Sequence, residues 1–165
     1  MKTLLAGVMA GLAALQMMVA SAQADYFKKI EPRLFQVVDG KRVDYKKPAT
    51  QPQYTALYFS AHWCPPCRAF TPKLVEWYKE FKAKHENFEL VFVSSDQSEK
   101  AQLEYMKEAA MPWPAVKFSA TSDPNFEKYA PSGIPYLVLI DENGKALTEK
   151  EGAGKTLKKI EELVK

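Results

Sequence analysis

Tyr54-Thr55-Ala56-Leu57-Tyr58-Phe59-Ser60-Ala61-His62-Trp63-Cys64-Pro65-Pro66-Cys67-Arg68 is the stretch on which the fold turns. Tyr54 to Ser60 is rich in aromatic and apolar residues and reads as a buried strand. After a short turn comes a pair of cysteines two residues apart. Phe70, Leu74, Trp77 or Tyr78, and Phe81 then recur at spacings near three and four, so the cysteine pair opens a helix with one apolar face. Pro72 lies inside that pattern and predicts a kink. A cysteine placed between a strand end and a helix N-terminus has a chemical logic. The unpaired N–H groups and the positive end of the helix dipole favour the thiolate of Cys64, and the thiolate is the nucleophile. Cys67, one turn later, can close the disulfide. Pro65 and Pro66 lack N–H groups, which costs little in a first helical turn. Cys67 and Arg68 are then the first backbone donors available to the Cys64 sulfur.

Outward from this motif, Leu34 to Val38 and Lys41 to Tyr45 flank Asp39-Gly40, a two-residue hairpin signal. Residues 25–33 read as a linker. Phe88 to Val93 is a strand covered on both faces. Asp96 followed by Glu99 resembles a capping box that starts a second helix through Leu103, Met106 and Ala110. A short strand is expected at Val116 to Phe118 and a helical turn at Phe126 to Tyr129. Tyr136 to Ile140 is a further buried strand, turned by Asn143-Gly144 into Lys145 to Thr148. Leu157, Ile160, Leu163 and Val164 line a last helix over 155–164. This alternation predicts an α/β fold, a central mixed sheet flanked by helices with an N-terminal β-hairpin.

The 165 residues suit one domain. With 47% hydrophobic and 26% charged residues the chain folds rather than stays disordered. A net charge of +3, spread along the chain, gives no argument for nucleic acid or a membrane surface as partner. Lys2, the apolar run Leu4 to Leu15 and the small-x-small site Ala22-Gln23-Ala24 read as a signal peptide over 1–24, leaving a domain over 25–165. Export is expected, to a periplasm or to the medium; an uncleaved N-terminal membrane anchor is the alternative.

Only two cysteines are present, both in the one motif, so they form a site rather than a structural framework. A zinc site needs four ligands, and haem attachment wants His where Arg68 stands. Copper binding by Cys64 and Cys67, with His62, is the alternative from another class, because thiolates suit Cu(I). No metal and no cofactor beyond the redox-active disulfide is expected.

Trp63-Cys64-Pro65-Pro66-Cys67-Arg68, with Tyr58-Phe59-Ser60-Ala61 before it, Phe70-Thr71-Pro72 after it, Val93-Ser94-Ser95-Asp96 and Met111-Pro112-Trp113, resembles the tryparedoxin and nucleoredoxin branch of the thioredoxin superfamily. The resemblance covers about Leu34 to Ile140. It implies a thioredoxin fold, a thiol–disulfide oxidoreductase acting on protein disulfides, an attacking Cys64, a resolving Cys67, and a cis-proline at Pro135 facing the motif. The Ile134 backbone would pair with an extended substrate, and Trp63 would rim the site. Trp113 is rim or core. Arg68 favours the thiolate, whereas Pro65 and Pro66 offer neither charge nor donor, which points to the reducing or isomerising direction and to an upstream thiol donor. Tyr58 stands where many thioredoxins keep a buried acid. That leaves the proton acceptor for Cys67 open; His62 is a candidate by proximity, although a lone histidine more often has no such role. A monomer is expected.

Overall fold

The computed structural model describes residues 25–148 and 151–165; the leader over 1–24 lies outside them. Its elements are α1 (Tyr26–Ile30), β1 (Leu34–Val38), β2 (Lys41–Asp44), β3 (Tyr54–Ser60), α2 (Pro65–Lys82), β4 (Phe88–Ser94), α3 (Glu99–Glu108), β5 (Ala115–Val116), α4 (Pro124–Glu127), β6 (Tyr136–Asp141) and α5 (Ala153–Leu163). The strands form one mixed sheet in the order β2-β1-β5-β4-β3-β6. β3 and β4 run parallel, while β6 lies antiparallel to β3 on its other side. The hairpin β1–β2 turns through Asp39 and Gly40, both at positive φ as a tight two-residue turn requires.

Alternation along the central strands sends side chains to two cores. Ala56, Tyr58, Leu90, Phe92, Leu137 and Leu139 pack with Leu74, Val75, Tyr78 and Phe81 of α2, Tyr105 and Met106 of α3, and Ile160 of α5. Leu57, Phe59, Val91, Val93, Val138 and Ile140 face the other way, onto Tyr26, Phe27 and Ile30 of α1 and Phe126 of α4. Trp113 belongs to the first core, fully buried, with its ring edge-on to Tyr58 and Tyr78.

Four expectations need correction. Residues 25–33 are not a linker: α1 and the 3-10 turn Glu31–Arg33 occupy them. Asp25 caps α1 by accepting the Lys28 N–H at 3.1 Å, and the spacing of Tyr26, Phe27 and Ile30 buries one side of the helix. Residues 145–148 make a single bridge, Ile140 to Ala146, rather than a strand. There the Leu139 N–H donates to the Thr148 hydroxyl, so a side chain replaces a ladder carbonyl. β5 is Ala115–Val116, and Phe118 already begins a 3-10 turn. The cap of α3 is Ser98, whose hydroxyl accepts the Ala101 N–H; Asp96 is used elsewhere. The α2 helix continues through Pro72.

Candidate active site

β3 ends at Ser60, and the three residues that follow are fixed before the motif begins. Asp96, nearly buried just after β4, accepts the His62 backbone N–H at 2.8 Å and the Ser94 hydroxyl at 2.7 Å. The Ser95 N–H donates to the Ser60 carbonyl, and the Ser95 carbonyl accepts the Trp63 indole N–H at 3.2 Å. The end of β4 therefore holds the loop that presents Cys64. Asp96→Ala leaves the His62 N–H without its acceptor, and a loss of about 1–3 kcal/mol is expected in urea denaturation; a loss below about 0.3 kcal/mol would show that the loop does not depend on this carboxylate.

Cys64 is the N-cap residue of α2, with extended backbone angles. Its sulfur accepts the Cys67 N–H at 3.3 Å. Arg68 differs from expectation: its N–H goes to the Cys64 carbonyl, not the sulfur, since the helical ladder has already begun. Cys64 and Cys67 are joined in a disulfide, their Cα atoms 5.2 Å apart. Cys64 is 3% exposed and Cys67 fully buried, so Cys64 is the sulfur nearer to solvent. The Ile134–Pro135 peptide is cis, and the Ile134 carbonyl oxygen lies 3.8 Å from the Cys64 sulfur. Ile134 packs against Ala61 and the two cysteines. Trp63 is 59% exposed beside them.

Beneath the motif lies a cluster of hydroxyls. The Thr71 hydroxyl donates to the Cys67 carbonyl at 2.9 Å. Its one proton is thereby spent, so the phenols of Tyr58, at 2.9 Å, and Tyr105 both donate to the Thr71 oxygen. Ser60 completes the chain at Tyr105, 3.1 Å away. Burial pushes the Tyr58 phenol well above the usual tyrosine range. Tyr58 is thus a neutral donor whose proton is committed to Thr71, and it cannot accept the proton of Cys67 at physiological pH. His62 stacks on the Tyr105 ring and bonds Glu108 through Nε2 at 2.8 Å. Its ring thus meets Tyr105 and Glu108 of α3, and among the described residues it bonds no sulfur. Sequence reasoning missed Thr71, Tyr105 and Ser60; Thr71 standing four residues after Cys67, and Ser60 two after Tyr58 on the same strand face, were the available signals. Among the described residues no three His, Cys, Asp or Glu side chains gather into a set able to hold a metal ion.

Comparison with known proteins agrees with this geometry. A family described as thioredoxin-like matches residues 52–146. Probable nucleoredoxin 1 of Arabidopsis thaliana is 46% identical over 95 residues, which are 57% of this chain and 16% of that protein. Human nucleoredoxin is 42% identical over 99 residues, 59% of this chain and 22% of that one. The chain therefore spans about a fifth of the length of these curated relatives. Native tryparedoxin I from Crithidia fasciculata superposes with a TM-score of 0.61 at 36% identity, covering 84% of this chain and 91% of that one. A thioredoxin from Wuchereria bancrofti gives 0.60 at 35% identity, covering 79% and 94%. With the strand–CxxC–helix motif, the cis-proline against it and these similarities together, the chain belongs to the thioredoxin-like family of oxidoreductases, in its tryparedoxin and nucleoredoxin branch.

Proposed function

We propose that this protein is a thiol–disulfide oxidoreductase that reduces or isomerises disulfides in other proteins. The observation that carries the reading is the placement of Cys64, capping α2 and within disulfide reach of Cys67, with the Ile134 carbonyl alongside. In the reduced protein the Cys64 thiolate attacks one sulfur of a substrate disulfide. The S–S bond breaks, and the other substrate sulfur leaves as a thiolate that takes a proton. Cys67 then loses its proton and attacks the Cys64 sulfur, which expels the second substrate thiolate. The substrate gains two electrons, and the protein is left with the Cys64–Cys67 disulfide, which an upstream dithiol must reduce. The Ile134 backbone pairs with an extended substrate segment, and the Trp63 ring supplies an apolar rim.

Export rests on the leader, and cleavage after Ala24 would keep Asp25, the cap of α1, in the mature chain. One purified sample tests the chemistry. With dithiothreitol as donor, the protein is expected to accelerate insulin reduction and to carry no stoichiometric copper. One bound copper per chain with no reductase activity would overturn the reading in favour of a metal carrier. Equilibration against glutathione tests direction, since a potential near about −120 mV would mark a strong oxidant instead.

A further inference from the structure

Arg68 follows Cys67 directly and lies exposed at the meeting of two clefts. The larger, about 360 Å³, is lined by His62, Trp63, Arg68, Asp96, Gln97 and Ser98. The smaller, about 170 Å³, runs from Arg68 past Tyr105 to Glu108. The carboxylates along these walls bond groups other than Arg68. Asp96 holds the His62 N–H and the Ser94 hydroxyl. One Glu108 oxygen bonds the His62 ring, and Glu99, outside both clefts at the start of α3, pairs with Arg42. Gln97 is neutral, and the Ser98 oxygen is occupied as a helix cap. Among the described residues the Arg68 guanidinium has no carboxylate partner. Beside it stands the largely exposed Trp63, whose indole is pinned to the Ser95 carbonyl and so presents a fixed apolar face. A free guanidinium offers a planar fork that matches a carboxylate, and Trp and Arg are both enriched among the residues that anchor binding surfaces.

We propose that Trp63 and Arg68 form a specificity subsite that favours substrates carrying a carboxylate beside the disulfide under attack. The inference rests on the reductase reading above and names the substrate class for the same site. Arg68 then selects as well as favouring the thiolate, and the two roles separate cleanly in a ratio of substrates. The probes are two disulfide-closed peptides that differ only by Glu or Gln next to one cysteine, assayed with dithiothreitol as donor. The wild-type protein is expected to show a kcat/KM about three- to tenfold higher for the Glu peptide, a preference that shrinks with added salt. Arg68→Gln brings the ratio close to one, and Arg68→Glu inverts it. A change in Cys64 reactivity alters both peptides alike and leaves the ratio untouched. Equal turnover of the two peptides by the wild type, or a preference that survives in Arg68→Gln, would overturn the subsite while leaving the reductase intact. Turnover of neither peptide by the wild type would overturn the reductase reading, and the subsite with it.

Discussion

Cys67→Ser turns the protein into a covalent trap. Cys64 can still attack a substrate disulfide, but no second sulfur is present to release the adduct. Mixed disulfides on Cys64 accumulate and resolve slowly, while insulin turnover drops on the order of 1000-fold or more, as expected when one member of a reacting unit is removed. Cys64→Ser loses turnover to a similar extent yet captures nothing, because Cys67 is fully buried behind it. Non-reducing gels with mass spectrometry of the adducts separate the two variants and identify the partners. Equal capture by Cys64→Ser and Cys67→Ser would mean that the roles assigned to the two sulfurs are wrong.

The largest loss of stability is expected at Trp113, far more than at any surface position. It is fully buried between α2 and β3, edge-on to Tyr58 at 6.3 Å and to Tyr78 at 5.3 Å between ring centroids. Trp113→Ala opens a cavity that the surrounding aromatic rings cannot fill, costing about 3–5 kcal/mol. Against a typical net stability of about 5–15 kcal/mol this leaves a marginal fold, with a melting temperature lower by roughly 10–20 °C. Trp113→Phe is the control. Among the described residues the Trp113 indole N–H has no hydrogen-bond partner, so the smaller ring gives up packing but no bond. Its cost is expected to stay below half that of Trp113→Ala, and a cost for Trp113→Ala under about 1 kcal/mol would remove Trp113 from its central place in the core.

What the sequence made legible follows from where the information is local. β3 coincides with the expected Tyr54 to Ser60 because a short run rich in aromatic residues favours a strand over a helix. The cysteine pair, the helix after it and the hairpin at Asp39-Gly40 carry their own signatures. The α1 helix does not. Five residues are too few to show periodicity, and what fixes it is burial of Tyr26, Phe27 and Ile30 against strands far along the chain. Asp96 misled for a related reason: its spacing to Glu99 fits a capping box, but Ser98 stands closer to the helix, and the loop before Cys64 takes the carboxylate. Trp113 could be placed only by its neighbours, since an indole serves equally well in a core or on a rim. The contact between Cys64 and Ile134 joins positions 70 apart, and only the family resemblance pointed to it.

The hydroxyl cluster under the motif also decides how charge is managed when the disulfide opens. Two electrons arriving at the disulfide leave Cys64 as the thiolate and call for one proton, on Cys67. An anion buried below would compete for that proton and tie the couple's potential to its own titration. Tyr58, Thr71, Tyr105 and Ser60 are uncharged and already chained to one another and to the Cys67 carbonyl. Redox turnover therefore leaves this hydroxyl floor uncharged in both states, with Tyr58 still a neutral donor to Thr71.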